Sequence, residues 1–183
     1  MASPTKLSHI VLQTNRRKEM RDWYCMVLNA AVLHENDVIS FISYDDEHHR
    51  VAFIDPKVPL ADKVPNEGKT ARAGAETGLH HMAFTYAGLH DLAENFQRLK
   101  AMGVRPHRCV NHGVTTSMYY YDPDRNQVEL LIDNFADMTE AQAYMRQRSS
   151  ADKNPVGIDF DPEELVKKIH SGLRLEELQS INA

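Results

Sequence analysis

Residues 79–86 read LHHMAFTY and residues 7–14 read LSHIVLQT. In each, a His stands third and apolar residues follow in alternation, the period of a strand. His81 shares a face with Leu79 and Ala83, while Met82 and Phe84 take the other, and His80 falls opposite His81. His9 likewise shares a face with Leu7 and Val11, while Ile10 and Leu12 point away. A helical pattern follows each strand: Met20, Trp23 and Val27 in the first case, and Leu89, Leu92, Phe96 and Leu99 in the second, with Gly103 as a stop. His9 and Asn29 are 20 positions apart, and His81 and Gly103 are 22 apart, so the two halves run in step. Each half then offers three short strands: 30–34, 38–44 and 49–54 in the first, 104–110, 115–121 and 127–132 in the second. The plan is βαβββ, twice.

Between the halves, 55–78 carries Pro56, Pro59, Pro65, Gly68, Gly74 and Gly78, the composition of a long connector. Beyond residue 134 the pattern turns helical over 139–148. Asp161-Pro162-Glu163-Glu164 starts a further helix, Gly172 stops it, and 173–180 adds a short one. The expected organisation is therefore a paired βαβββ domain over 1–134, with modules at about 6–55 and 78–134, and a helical extension over 135–183. This extension is read as covering a sheet edge or a partner subunit.

The 183 residues suffice for one domain or two small modules. With 42% hydrophobic and 26% charged residues the chain is globular in composition. The net charge of −5 and the brevity of Arg16-Arg17-Lys18 exclude a basic field for nucleic acid. No apolar run approaches the roughly 20 residues of a membrane span, and MASPTKLSHIVL has no apolar signal core. Cys25 and Cys109 are far apart and form neither a disulfide framework nor a CxxC pair, which a reducing cytoplasm explains most simply. Cys25, in the first helix, reads as a small buried side chain.

The ten histidines are the unusual feature. Glu129, in NQVELLI, points away from the face of Val128, Leu130 and Ile132. Alone, it reads most simply as a solvent-exposed carboxylate. Pointed into a cavity it would need a metal or a cation, because an unpaired buried charge costs several kcal/mol. A lone strand His is most often a hydrogen-bonded structural residue, but His9 and His81 hold the same position in two repeats. If a pseudo-twofold relates the halves, both rings converge, and with Glu129 they make two imidazoles and one carboxylate. That set suits non-haem Fe(II) and leaves three adjacent octahedral positions open. His48 and His49 precede the strand VAFI and are either an exposed pair in a charged turn or a source of a further ligand or an acid/base. Tyr119 and Tyr121 share a strand face before the turn DPDRN, where His112 lies upstream in NHGVTT. His34, His90, His107 and His170 read as surface.

The repeated strand-His-helix plan, the HHxxAF strand and the DPDxNxxEL ending resemble the vicinal oxygen chelate superfamily (glyoxalase, bleomycin resistance protein and dioxygenase). Within it, they resemble the type I extradiol ring-cleaving catechol dioxygenases, such as the 2,3-dihydroxybiphenyl and catechol 2,3-dioxygenases, in a small single-domain form. The resemblance covers about residues 6–134. It implies an α+β fold in which two βαβββ modules form a cup-shaped mixed sheet with flanking helices.

Carried over position by position, it implies metal ligands at His9, His81 and Glu129, an active-site acid/base at His49, a second active-site His at His112 and an active-site Tyr at Tyr119. The family's usual turn glycine is Arg125 here. The resemblance further implies Fe(II), with Mn(II) also suited to the ligand set, and a catechol-type substrate with O2. The product would be a ring-opened hydroxymuconic semialdehyde or ketone from aromatic catabolism, and the enzyme a homo-oligomer. Two other activities remain open. A glyoxalase-like isomerase or lyase would use His9, His49, His81 and Glu129 as four ligands to Zn²⁺ or Ni²⁺, leaving His112 and Tyr119 without a role. A non-catalytic protein could hold an aromatic or antibiotic ligand in the same cup.

Overall fold

The structure, a computed structural model, describes residues 7–55, 79–147 and 157–179. Fourteen elements follow in chain order among them. The first module is β1 (Ile10–Gln13), α1 (Arg17–Leu28), β2 (Ala31–Glu35), β3 (Ile39–Ser43) and β4 (Val51–Ile54). The second is β5 (His81–Thr85), α2 (Leu89–Ala101), β6 (Arg108–Asn111), β7 (Thr115–Tyr121) and β8 (Gln127–Asp133). The remainder is α3 (Met138–Gln147), β9 (Ile158–Asp159), α4 (Pro162–His170) and α5 (Leu175–Gln179).

The expected α+β architecture and the doubled βαβββ order are both present. The strands gather in two sheets, one per module, ordered β1-β4-β3-β2 and β5-β8-β7-β6-β9. In each, the first strand of the module runs parallel to the last, and the other pairs are antiparallel. A parallel neighbour needs a crossover, and the helix of each module supplies it. The connector 55–78 lies outside the described residues except for Asp55.

The chain divides into two compact units. One holds the first module together with Asp122–Arg125, and the other holds His80–Tyr121 and the chain from Asn126 onward. In the first unit, α1 buries Met20, Tyr24 and Val27 over β3 and β4, where Ile42 and Phe53 are fully buried. Helical spacing delivers these three side chains to one face, and each contributes roughly 1.5–3 kcal/mol by leaving water. Asn29, in the left-handed region at φ 52°, ends α1. The buried Tyr24 hydroxyl donates to Asp122 Oδ2 at 3.1 Å, and Arg16 pairs with Asp124 at 3.1 Å. These two contacts hold the DPDR turn within this unit.

In the second unit, α2 buries Leu92, Phe96 and Leu99 against the sheet, which supplies Met118, Tyr120, Val128, Leu130 and Ile132. Gly103, at φ 80°, follows the end of α2. The predicted start of α4 holds: Asp161 caps it by accepting from the Glu163 amide at 2.8 Å, with Pro162 in the first turn. α4 packs on α2 through Leu165, Val166 and Ile169, and Lys100 pairs with Glu163. The extension is not wholly helical: its β9 pairs with β6 and covers that edge of the sheet. Among the described residues no helix is long and apolar enough to cross a membrane. Both cysteines are free; Cys109 is buried, its thiol pushed up to about 12 by burial, whereas Cys25 is only half-buried.

Candidate functional site

The second unit builds its polar cluster on the register of β8. This strand lies between β5 and β7, and Val128 through Ile132 are all buried, so both faces are covered. Glu129 is 5% exposed, which rules out the solvent-exposed reading of this carboxylate. Antiparallel pairing sets Tyr119 directly opposite Glu129, so the two side chains share a face. Tyr119 Oη donates to Glu129 Oε1 at 2.8 Å. His81, the first residue of β5, pairs with Gln127 of β8, one step along the same face, and its Nε2 lies 2.9 Å from Glu129 Oε2.

His112 follows the end of β6 in the β6–β7 connection, where Gly113 takes φ 82°. Its Nε2 lies 2.8 Å from Tyr119 Oη. The phenol's single proton is committed to Glu129, so this contact requires His112 to donate from Nε2. Burial, and then the hydrogen bond to Glu129, push the Tyr119 pKa up, which keeps the phenol protonated as a donor. His112, Tyr119, Glu129 and His81 therefore form one continuous polar chain within this unit.

The first unit carries a second cluster. His9 lies just before β1, and its ring centroid is 4.2 Å from that of His49; His48 and His49 centroids are 4.5 Å apart. His9, His48 and His49 can each offer a nitrogen, all within 4.8 Å of one another, in an arrangement able to hold a metal ion. Burial pulls the His49 pKa down, and the adjacent His9 and His48 imidazoles pull it further. A neutral imidazole is the form that ligates a metal or accepts a proton.

The structure thus gathers four of the six site residues, His81, His112, Tyr119 and Glu129, in one unit, and places His9 beside His49 in the other. Each cluster also includes a neighbouring His to which the sequence reading assigned no separate role. His80 Nδ1 lies 2.7 Å from His81 Nδ1, and His48 Nδ1 lies 2.7 Å from His49 Nδ1. At that distance a hydrogen bond can join the two Nδ1 atoms of each pair, which leaves the Nε2 atoms free of it. The signal was the doubled His itself, in EHHRVAF and LHHMAF. The expectation that His80 points opposite His81 fails because β5 begins only at His81, so strand alternation does not govern His80. His34, His90, His107 and His170 are exposed as expected, with His107 stacked on Tyr121 at 4.0 Å.

The donor set fits a divalent metal. A cation with bonds of about 2.1 Å in octahedral geometry holds neighbouring ligand atoms about 3 Å apart, and His81 Nε2 and Glu129 Oε2 already stand at 2.9 Å. Imidazole with carboxylate suits Fe, Mn or Zn.

Comparison with known proteins is consistent with this chemistry. The chain is 42% identical to Biphenyl-2,3-diol 1,2-dioxygenase 2 of Rhodococcus globerulus over 178 residues, covering 97% of this chain and 88% of that protein. It is 41% identical to Biphenyl-2,3-diol 1,2-dioxygenase 3 of the same organism, covering 97% and 89%. Among solved structures, the lactoylglutathione lyase of Agrobacterium tumefaciens superposes with a TM-score of 0.56 at 16% identity, covering 72% of this chain and 96% of that one. The fosfomycin resistance protein FosX of Mesorhizobium loti superposes at 0.51 and 19% identity, covering 76% and 99%. At such identities the two structures speak for the fold alone. Residues 6–130 match the Glyoxalase/Bleomycin resistance protein/Dioxygenase superfamily, and the chain belongs to it.

Proposed function

We propose that the protein is an extradiol dioxygenase that opens a catechol-type aromatic diol with O2 at a 2-His-1-carboxylate Fe(II) site. The observation that carries this reading is the buried Glu129 carboxylate, held by Tyr119 on one oxygen and approached by His81 on the other. The extensive identity to two biphenyl-2,3-diol 1,2-dioxygenases supports it and favours a diol of that class. His9, His81 and Glu129 would hold the metal, with Mn(II) as the other ion suited to the set. Bound there, Fe(II) would supply the redox capacity to couple the diol with O2.

The remaining roles fall to the chain itself. His49, held neutral by its surroundings, takes a proton from the diol and returns it later in the reaction. Tyr119 fixes the Glu129 carboxylate through its proton, and His112 directs Nε2–H toward the phenol oxygen. An arriving diol oxygen can exchange into these hydrogen bonds, which then stabilise charge on the substrate. The paired modules over 1–134 serve as the catalytic domain, with 135–183 as an extension, in a cytoplasmic homo-oligomer.

A second reading rests on the His9–His49 proximity. If His49 ligates, the set becomes three His and one Glu, which suits a glyoxalase-like isomerase or lyase using Zn²⁺ or Ni²⁺.

Oxygen uptake decides between them. The protein is loaded with Fe(II) without air and given catechol, 3-methylcatechol or 2,3-dihydroxybiphenyl in aerated buffer. Stoichiometric O2 loss with a yellow product is expected, fastest with the bicyclic diol. No O2 loss with iron bound would reject the proposal for these diols and move the test to thiol adducts with Ni²⁺ or Zn²⁺.

A further inference from the structure

The backbone carrying His112 is gripped from both sides by buried amides and by the C-terminal extension. Asn111 is 2% exposed and Asn134 fully buried. Asn111 Oδ1 accepts from the Gly113 amide at 2.7 Å and from Asn134 Nδ2 at 3.1 Å. Asn134 Nδ2 also donates to the Gly113 carbonyl at 3.0 Å, its Oδ1 accepts from Thr116 Oγ1 at 2.7 Å, and its own amide donates to Val114 O at 2.9 Å. His112 therefore sits between two residues whose polar groups are held.

The extension closes this network. Asn111 Nδ2 donates to the Leu178 carbonyl in α5 at 3.0 Å, and Gln179 Nε2 donates to the Asn134 carbonyl at 2.5 Å. On the β9 side, Gly157 at φ 109° lies so close that a Cβ there would sit 2.2 Å from the Asn111 carbonyl oxygen and 2.9 Å from His112 Cα. Buried amides are costly unless satisfied, and a satisfied network of them specifies one geometry rather than merely adding stability.

We infer that Asn111 is a positioning residue through which the C-terminal extension sets the His112 ring against Tyr119. This inference rests on the dioxygenase reading for its effect on catalysis, while its structural part does not.

The test is a double-mutant cycle on the full chain. Asn111→Ala should lower kcat/KM for 2,3-dihydroxybiphenyl by about 10–100-fold, the usual cost of losing an outer support, with iron content unchanged. In a His112→Ala background the same substitution should change kcat/KM by less than about twofold, because its target is gone. Equal losses in both backgrounds would overturn the inference and leave Asn111 a purely structural residue. A second readout needs no activity: ring ¹⁵N resonances of His112 in the metal-free protein at a pH where the ring is neutral. The wild type should show the Nε2–H tautomer, and Asn111→Ala a mixture of tautomers; an unchanged His112 pattern would overturn the inference. A wild type that consumes no O2 while His112 still responds would sink the dioxygenase reading and leave the positioning role standing. If Asn111→Ala does not fold, Gln179→Ala cuts one peripheral link of the same clamp. It should show the same signature with a loss of about 2–10-fold, the scale of one neutral hydrogen bond; no loss and no His112 shift would overturn the inference.

Discussion

Tyr119 and Glu129 are direct partners across β7 and β8, and the phenol donates to the carboxylate at 2.8 Å. A β-sheet holds such a pair on one face whatever the surrounding loops do. Tyr119→Phe keeps the ring and removes the proton that orients Glu129. It also leaves His112 Nε2 without its phenol acceptor. Metal binding should survive, because the His and carboxylate donors remain, while kcat/KM falls by about 10–100-fold. Metal content and O2 uptake measured on one preparation check this. Full activity would show that the Tyr119 hydroxyl has no part in the reaction.

Ligands and acid/base groups separate by a different criterion. Glu129→Ala and His81→Ala each remove a proposed donor, so metal and activity should disappear together. His49→Ala should retain the metal and slow turnover by about 10²–10⁴-fold, the range for a positioned proton carrier. Equal metal loss in His49→Ala would make His49 a fourth ligand and favour the isomerase reading. The comparison is informative because His49 lies beside His9, so proximity alone does not assign its role.

The doubled module was legible because each of its signals is local: alternation in the strands, three- and four-residue spacing in α1 and α2, and a stop at Gly103. The burial of Glu129 was not legible from β8 by itself. One apolar face, Val128, Leu130 and Ile132, is equally compatible with an outward carboxylate. What lies against Glu129 is the side chains that β7 and β5 bring to its face, Tyr119 and His81, which is a tertiary fact. The pairing of Tyr119 with Glu129 follows from local sequence, since a hairpin turning at DPDRN sets that register. The clamp on His112 could not. Asn111, Asn134 and Gln179 look like ordinary polar residues, and Asn111 meets Leu178 across 67 positions of sequence. Nor does composition reveal that Gly157 is required by a close backbone approach.

Arg125 stands where the family's usual turn glycine would be, and it adopts φ 68°. Its amide closes the turn onto the Asp122 carbonyl at 2.9 Å. A side chain in the left-handed region costs about 1–2 kcal/mol, while a glycine gives back about 0.5–1 kcal/mol through the flexibility of the unfolded chain. Arg125→Gly should therefore stabilise the protein by about 0.5–1 kcal/mol. Its urea midpoint should rise with the slope unchanged. A lower midpoint would mean that the contacts of the Arg125 side chain outweigh the backbone strain.

Acid sensitivity should show a contribution from Glu35, on β2. Arg21 Nη1 donates to both Glu35 oxygens at 2.5 Å, and Ser40 Oγ donates at 2.8 Å. These hydrogen bonds, Arg21's above all, hold the folded-state pKa of Glu35 below its ordinary 4.5. A carboxyl with a lowered pKa stabilises the fold fully above its unfolded value, and that stabilisation is lost as pH falls through the folded value. Stability should thus decline as pH drops below about 4.5, and Glu35→Gln should flatten that decline while lowering stability at neutral pH. Glu35 is a quarter exposed, so solvent screens the interaction and the effect is modest. Urea midpoints of both proteins measured across this range check it. Parallel curves would show that the Arg21–Glu35 pair makes no net contribution to the fold.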